Sequence, residues 1–263
     1  MTNIQPLLCR TDDRGITTLT LNRPEVRNAL NGALMAALVE KLQKLEQDKT
    51  TRVLVLTGSG RAFCSGADLA WIEAVIEQGG IINLKDALLL AEMMRRLNAF
   101  SKPVVALVNG PAFGGGVGLI ACCDIAIAVD WAEFACSEVR LGLVASVIAP
   151  YLLTAIGHRQ VKRLLLSAER FSADQALSFG LVHHVATEAS LQALLDRQLT
   201  LLLQGESEAQ TESKRLLQSL LSRDPNLLHQ TAKLTARVRA TGEAQSRMQA
   251  FLDRHKTKKV QQC

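Results

Sequence analysis

A run of glycines in the middle of the chain is the first candidate for chemistry. The segment KPVVALVNGPAFGGGVGLIACCDIAIAVD, residues 102–130, passes from an apolar strand through glycines into an apolar helix. Such a transition places backbone N–H groups at a helix N-terminus, where they can bind an anion. Gly116, Gly118 and Ala121 also match the dinucleotide fingerprint G-x-G-x-x-A. The run is therefore a dinucleotide site, an oxyanion hole, or a set of glycines required for close packing.

The spacing excludes a dinucleotide site. A dinucleotide-binding unit needs about 30 residues and a full crossover helix before its acidic residue. Here Asp124 and Ile125 follow so soon that the helix has only about two turns. A phosphate-binding P-loop is also excluded, because no Gly-Lys-Ser or Gly-Lys-Thr follows the glycines.

An oxyanion hole needs two N–H donors, and the chain offers a second glycine-bearing loop. Gly114, Gly115 and Gly116 let the backbone approach a ligand, and the first N–H groups of the helix that follows lack intrahelical partners. The loop CSGAD, residues 64–68, follows the apolar strand Val53–Leu56 in the same way. Because loops that follow parallel strands meet at one sheet edge, we expect the two loops to lie together. Tight packing of helix on strand remains the alternative.

The elements that must position these loops alternate between strands and helices. The pattern predicts an N-terminal hairpin through Leu21, strands at Val53–Leu56, Val104–Val108 and Ile125–Val129, and a short strand near Phe134. Leucines with helical spacing, Leu34, Leu38, Leu42 and Leu45, predict a helix between the hairpin and the strand Val53–Leu56. Further helices are predicted at Leu84–Phe100 and from Gly114 to about Cys122. The fold class is therefore α/β with largely parallel strands.

The C-terminal part of the sequence is helical. Helices are predicted at Leu191–Leu203, Glu208–Leu221 and Asn226–Thr241. No sheet remains for them to cover, so we expect them to pack on a neighbouring subunit. We divide the chain into a core with the ligand site at residues 1–190 and a helical region at residues 191–263.

Composition indicates a soluble globular protein rather than a nucleic-acid or membrane protein. The 263 residues are 48% hydrophobic and 21% charged, with a net charge of +5. Some of that excess lies in the tail Arg254–Lys259, which suits a polyanionic ligand or a frayed terminus better than a nucleic-acid footprint. No signal peptide or membrane span is expected, and we predict a cytoplasmic location. The six cysteines form no C-x-x-C pair, so we interpret them as reduced core residues.

Four segments together resemble one known family. They are LNRPEVRNAL at 21–30, GRAFCSGADL at 60–69, KPVVALVNG at 102–110, and FGGG at 113–116 followed by CDI at 123–125. In order and spacing they resemble the crotonase family, the enoyl-CoA hydratases and isomerases, and the match runs from about Ile4 to Arg254. The resemblance implies a spiral of ββα units with a helical C-terminal trimerisation region, assembled as a homotrimer or homohexamer.

The resemblance also implies the ligand and the residues that hold it. The ligand would be an acyl-CoA thioester whose carbonyl oxygen accepts hydrogen bonds from the N–H groups of Ala67 and Gly115. Coenzyme A is then part of the substrate, and no other cofactor is expected. Arg27 would pair with a phosphate. The positions matched to CoA contacts are Arg27, Ala62, Cys64, Ser65, Gly66, Ala67, Asp68, Leu69, Gly114, Phe251 and Arg254.

No metal site is expected. His183 and His184 are adjacent on a strand, and their side chains would face opposite ways. They could not both bind one metal ion.

The resemblance breaks down at one catalytic position. Typical hydratases of this family place one glutamate just after the glycine run and another about twenty residues on, and the pair activates water and protonates Cα. The second position matches Glu138, but the first is Gly118, because the chain has Gly-Gly-Gly-Val-Gly where the family has Gly-Gly-Gly-x-Glu. If Glu138 is not catalytic, it could form a surface ion pair with Arg140.

One glutamate leaves several activities open. We expect hydration of a 2-enoyl-CoA, with Ser146 as a candidate for holding the water. A Δ3-Δ2-enoyl-CoA isomerase also needs only one carboxylate, and a CoA-ester-binding pseudoenzyme needs none. The altered loop Leu141–Pro150 and Gly118 resemble the methylglutaconyl-CoA and isohexenylglutaconyl-CoA hydratase branch, in which space beside Gly118 would suit a substituent at Cβ. RNA binding, known for one relative, is disfavoured because acidic residues balance the lysines of the helix at residues 31–50.

Overall fold

The computed structural model describes residues 5–68, 70–72, 74 and 80–221, and the chain divides into two compact units, Met1–Gly205 and Glu206–Cys263. The first unit opens with the predicted hairpin, formed by β1 (Leu7–Thr11) and β2 (Ile16–Leu21). Asp12 shapes its turn, because one carboxylate oxygen accepts the N–H of Ile16 at 2.8 Å. Gly15 lies in the turn at φ +81°, a conformation that favours glycine.

The main sheet contains β1, β2 and four further strands, β3 (Val53–Gly58), β4 (Val104–Val108), β6 (Ile125–Val129) and β9 (His184–Ala186). Their order in the sheet is β1-β2-β3-β4-β6-β9. Only the β1–β2 pair is antiparallel; every other pair in this sheet is parallel. Apolar residues fill β3 and β4 on both faces, as expected for strands covered by helices on each side.

Helices follow the strands, as the sequence pattern predicts. In α1 the four predicted leucines are buried, and the Asn31 side chain caps the helix by accepting the N–H of Leu34 at 3.0 Å. The helices of the first unit are α1 (Gly32–Gln47), α2 (Gly80–Asn98), α3 (Gly115–Ala121), α4 (Ala149–Ser167), α5 (Ala173–Phe179) and α6 (Glu188–Gln204). The described part of the second unit is α7 (Ser207–Leu221). The predicted helix Asn226–Thr241 lies outside the described residues.

A second, smaller sheet carries the glycine run of residues 114–116. It contains β5 (Ala112–Phe113), β7 (Glu133–Ala135) and β8 (Phe171–Ser172). Because β5 and β7 are parallel, the segments that follow them emerge at the same end. The N–H of Gly114 extends this pairing by donating to the carbonyl of Ala135 at 2.8 Å. The glycine run after β5 therefore lies beside the turn after β7 that carries Glu138.

The expectation that no sheet remains for the first C-terminal helix to cover is wrong. The helix α6 packs against β3, β6 and β9 of its own chain. Leu191, Leu195 and Leu199 are spaced on one face of the helix and are buried there. The helix therefore belongs to the first unit, which continues past our boundary at residue 190 to Gly205.

The cysteines are not all core residues. Cys64, Cys122 and Cys136 are buried, but Cys9 is exposed, so the prediction fails for Cys9. Its strand β1 lies at the edge of the sheet, and only its first residue is buried. Burial raises the pKa of the Cys64 and Cys136 thiols to about 12. Cys263 lies outside the described residues. Within the described segments, no helix has both the length and the hydropathy to cross a membrane.

Candidate active site

The two glycine-bearing loops meet, as predicted, beyond the ends of β3 and β4. Cys64 and Ala112 form an isolated parallel bridge, and the N–H of Phe113 donates to the carbonyl of Cys64 at 2.9 Å. Gly66 lies at φ +86°, and a side-chain carbon at this position would lie 2.7 Å from the carbonyl oxygen of Phe113. Glycine is therefore required here both by the backbone conformation and by the close approach of the two loops.

Ala67 has a backbone N–H that is directed away from its neighbouring segment. Leu30 donates to the carbonyl of Gly66 at 2.7 Å and accepts the N–H of Asp68 at 2.9 Å. In this parallel bridge the residue between those two partners points its own N–H to the opposite side. Within the described part of the chain the N–H of Ala67 has no hydrogen-bond partner. Ala67 also lines a cavity, so the group is available to a ligand.

The loop before α1 holds Ala67 in place through buried polar groups. Asn28 is fully buried at φ +57°, and its side chain donates to the carbonyls of Ser59 and Ala62 at 2.9 and 2.8 Å. Arg23 forms an ion pair with Asp68 at 2.9 Å, with both side chains largely buried. These bonds connect the segment around residue 30 to the loop that carries Ala67.

Gly115 supplies a second free N–H. It is the first residue of α3, and the first helical hydrogen bond runs from the N–H of Gly118 to the carbonyl of Gly114. Among the described residues the N–H of Gly115 has no partner, as expected for the first turn of a helix. Gly115 lines the same cavity as Ala67.

Packing also contributes to the choice of glycine in this run. A side-chain carbon at Gly116 would collide with the carbonyl oxygen of Cys64, and one at Gly115 would lie 2.8 Å from Leu30 Cδ1. At Gly114, whose φ is +48°, it would lie 3.0 Å from Oε1 of Glu138. The run therefore serves both interpretations left open by the sequence: Gly116 allows close packing, while Gly115 presents an N–H to the cavity.

Glu138 is the carboxylate beside this run. It is the first residue of a short 3-10 helix, Glu138–Leu141, that follows β7, and it lines the cavity. Its Oε2 is buried and has no hydrogen-bond partner. Burial raises the pKa of the Glu138 carboxyl. The alternative ion pair with Arg140 is absent from the described structure.

One cavity of about 690 Å³ contains all three groups. Its polar lining residues include Arg27, Ser65, Asp68, Ser137 and Ser146. Its apolar lining side chains include Met35, Trp71, Leu90, Leu141, Leu143, Val144 and Ile148. This arrangement of a few convergent polar groups on an apolar background is typical of a small-molecule site.

The structure brings most, but not all, of the predicted contact residues to the cavity. Arg27, Ser65, Gly66, Ala67, Asp68 and Gly114 line it, whereas Ala62 and Cys64 are buried outside the lining. Arg27 is exposed, and Asp68 is already paired with Arg23. Leu69, Phe251 and Arg254 lie outside the described residues.

Gly118 does not open the space we predicted for a substituent at Cβ of the substrate. It is buried in α3 and is not part of the cavity lining. A side-chain carbon there would lie 2.9 Å from Cβ of Ile148, closer still to its Cγ2, and 3.1 Å from Cε of Met94. Ile148, which lies within the altered loop, therefore occupies the space that a side chain at residue 118 would need. The prediction missed this because residues 118 and 148 are joined only by tertiary packing.

Trp71 and Asp86 are further cavity residues that the sequence reasoning missed. The indole N–H of Trp71 donates to Oδ1 of Asp86 at 2.7 Å. The available signal was a tryptophan four residues after Ala67 in a chain with two tryptophans. The Nδ1 of His183 accepts the N–H of Ala126 at 3.1 Å. The described His, Cys, Asp and Glu residues contain no group of three that could hold a metal ion.

Comparison with known proteins gives one family. Residues 11–262 match the model of the enoyl-CoA hydratase/isomerase family. A 2,3-dehydroadipyl-CoA hydratase from Escherichia coli is 35% identical over 221 residues, which cover 81% of this chain and 85% of that protein. A 1,2-epoxyphenylacetyl-CoA isomerase from the same species is 36% identical over 183 residues, 68% of this chain and 69% of that protein.

The fold leads to the same family. The crystal structure of an enoyl-CoA hydratase from Shewanella pealeana superposes with a TM-score of 0.90 at 35% identity, covering 96% of this chain and 95% of that one. Pseudomonas aeruginosa AtuE superposes with a TM-score of 0.91 at 31% identity, covering 95% and 97%. The chain therefore belongs to the enoyl-CoA hydratase/isomerase family, a family of enzymes that act on CoA esters.

Proposed function

We propose that this protein adds water to the double bond of a 2-enoyl-CoA thioester. The observation that carries the proposal is that one cavity holds the N–H groups of Ala67 and Gly115 and the Oε2 of Glu138, which have no hydrogen-bond partner among the described residues. This combination suits a reaction in which negative charge develops on an oxygen while a proton moves to or from carbon.

The two N–H groups would receive the thioester carbonyl oxygen. When hydroxide adds to Cβ, electrons move through the double bond, and an enolate-like oxyanion forms at that oxygen. Donors that already point at this position stabilise the charge without reorganisation, and removing one such donor from an enzyme typically costs about 100-fold to 1,000-fold in rate. Backbone N–H groups remain donors throughout, so they do not interfere with proton transfer nearby.

Glu138 would act as both base and acid. Its carboxylate takes a proton from the water as the water oxygen bonds to Cβ, and the carboxyl group then returns a proton to Cα. The raised pKa of Glu138 suits this double use, since a more basic carboxylate removes a proton more readily from water. The hydroxyls of Ser137 and Ser146 line the same cavity and could orient the water.

Coenzyme A enters this scheme as part of the substrate, with no separate cofactor. Arg27 is exposed at the cavity and is the described cation best placed to pair with a CoA phosphate. From the family we also propose assembly as a homotrimer or homohexamer. Sedimentation equilibrium would test this, and a concentration-independent monomer would contradict it.

A second activity is supported by the apolar surroundings of the single carboxylate. Ile148 occupies the space that a side chain at residue 118 would need, so the site can work as a proton shuttle without holding water between two acids. In a Δ3-Δ2 isomerisation, Glu138 would remove a proton from Cα and return one to Cγ. The oxyanion donors would serve in the same way.

An acyl-CoA panel would distinguish the two activities. We suggest crotonyl-CoA, 3-hexenoyl-CoA and 3-methylglutaconyl-CoA with the wild type and Glu138→Gln. Hydration removes the absorbance of the conjugated enoyl thioester, whereas isomerisation of a 3-enoyl ester creates it. Glu133→Gln is the matched control, because Glu133 is exposed and pairs with Arg170 outside the cavity.

We expect Glu138→Gln to lose about 100-fold to 10,000-fold in kcat and the control to keep its rate. Full activity of Glu138→Gln would show that the mechanism is wrong. Tight binding of acyl-CoA by the wild type without turnover of any ester would instead show a pseudoenzyme.

A further inference from the structure

Trp71 has two contacts that hold its indole at the cavity wall. At one end its N–H donates to Oδ1 of Asp86, which lies on α2, at 2.7 Å. At the other end the six-membered ring rests on Gly32, the first residue of α1. A side-chain carbon at Gly32 would lie 2.5 Å from Cζ2 and 2.8 Å from Cη2 of the indole. The ring is therefore held between the N-terminus of α1 and the side of α2.

Gly32 has no backbone reason to be glycine. Its φ is not positive, and it lies in the first turn of a regular helix capped by Asn31. Glycine is a poorer helix former than alanine, so its presence at the start of α1 needs another cause. The indole of Trp71 supplies that cause, because any side chain at residue 32 would displace the ring.

The indole is also coupled to the oxyanion loop. The backbone N–H of Trp71 donates to Oδ1 of Asp68 at 3.3 Å, and Asp68 is the residue after Ala67. The wall formed by the ring therefore has a defined position relative to the proposed donor of Ala67. Met35 and Leu90 line the same cavity and add to its apolar surface.

We propose that Trp71 determines which acyl groups the site accepts, with its indole as the wall against which the acyl tail packs. Asp86 and Gly32 are positioning residues that hold the ring. This inference rests on the proposed function, because it assigns the acyl half of the same cavity. It favours acyl tails small enough to fit against the indole, with apolar carbon facing the ring.

Variants of the wall should change the ranking of substrates. Trp71→Ala enlarges the cavity, so kcat/KM for decenoyl-CoA relative to crotonyl-CoA should rise by about tenfold or more, mainly through KM. Crotonyl-CoA should keep its kcat within a few-fold, because Glu138 and both N–H donors remain. Trp131→Ala is the matched control, since Trp131 stacks with Arg61 at 5.4 Å and does not line the cavity.

The positioning role of Asp86 is tested separately. Asp86→Leu removes the acceptor and should move the ranking in the same direction as Trp71→Ala, whereas Asp86→Asn keeps an acceptor oxygen and should preserve the wild-type ranking. In a Trp71→Phe background, which lacks the indole N–H, Asp86→Leu should add no further change. Equal behaviour of Asp86→Leu and Asp86→Asn would overturn the positioning role of Asp86.

Fluorescence gives a readout that does not depend on turnover. Trp131→Phe leaves Trp71 as the remaining tryptophan of the chain. Saturated butyryl-, hexanoyl- and decanoyl-CoA should shift its emission progressively with chain length, while free CoA should give a smaller, constant effect. Titration calorimetry would confirm that each ester binds.

The outcomes separate this inference from the proposed function. If esters bind and are turned over, but neither the emission nor the substrate ranking responds to Trp71, the role of Trp71 is wrong and the function stands. If emission follows acyl length but no ester is turned over, the function is wrong and the acyl wall stands. Thermal unfolding of each variant would show whether a loss of activity reflects a loss of fold.

Discussion

Glu138 shows how a single residue can be kept for chemistry at a cost in stability. A carboxylate oxygen that is buried and unpartnered is unfavourable, since burial removes water without providing a replacement. Groups with such perturbed ionisation are concentrated at functional sites. The position of Glu138 beside Gly114 is therefore best explained by the proton transfer proposed above.

The raised pKa of Glu138 leads to a prediction for the pH dependence of the rate. The base must be deprotonated to act, so kcat/KM should fall as pH decreases through the pKa of Glu138. Because burial raises this pKa, the fall should occur above the range of an ordinary glutamate. Initial rates between about pH 4.5 and 9 would measure it. An acid limb at the ordinary glutamate pKa would contradict the prediction.

The same shift predicts a pH-dependent effect on stability. Since the folded state binds the Glu138 proton more tightly than the unfolded state, the stabilisation from protonation is fully present below the unfolded-state pKa. It is lost as pH rises through the folded-state pKa. Glu138→Gln should therefore unfold at higher urea concentration than the wild type at pH 8, with a smaller difference at pH 5. An equal difference at both pH values would contradict this, and Glu133→Gln is the control.

At the scale of elements, the contact between α3 and the start of α4 decides what residue 118 can be. Gly118→Glu should destabilise the protein and abolish activity, because Ile148 fills the space. Adding Ile148→Ala should restore part of the stability by removing the colliding methyl groups. Urea unfolding of both single variants and the double variant gives the coupling free energy between residues 118 and 148. Additive effects of the two changes would show that Ile148 does not block residue 118.

Most elements could be predicted from local patterns, and the failures have a common cause. The strands Val104–Val108 and Ile125–Val129 have the predicted bounds, because apolar β-branched runs between turn residues leave few alternatives. The helix α6 was also predicted, but its partner was not. Its leucine face shows that the helix is covered, while the topology decides that strands of the same chain cover it.

At the scale of the whole molecule, burial separates the cysteines into reactive and protected groups. Within the described residues Cys9 is exposed and Cys123 is half-buried. Cys9→Ser should therefore remove the fastest reaction with a thiol reagent and leave a slower one at Cys123. The buried thiols of Cys64, Cys122 and Cys136 should react only when the protein unfolds, because burial also raises the pKa of each. Mass spectrometry of labelled protein, with Cys263→Ser in both backgrounds, would test this. Rapid labelling of Cys64 in native protein would contradict the buried core.

The sequence by itself determined the family, the alternation of strands and helices, and the three groups proposed for chemistry, Ala67, Gly115 and Glu138. These features are readable because they are encoded locally: motifs of glycine and polar residues set the backbone of each loop, and apolar periodicity sets each element. The meeting of the two glycine loops also followed from parallel strand order.

Only the tertiary structure decided what surrounds those groups. It filled the space at Gly118 with Ile148, paired Asp68 with Arg23, exposed Cys9, and formed the wall of Trp71, Asp86 and Gly32. Each of these depends on side chains that are far apart in the sequence or on the position of a strand within the sheet. Local propensity carries no information about such contacts, because close packing is a property of the assembled core.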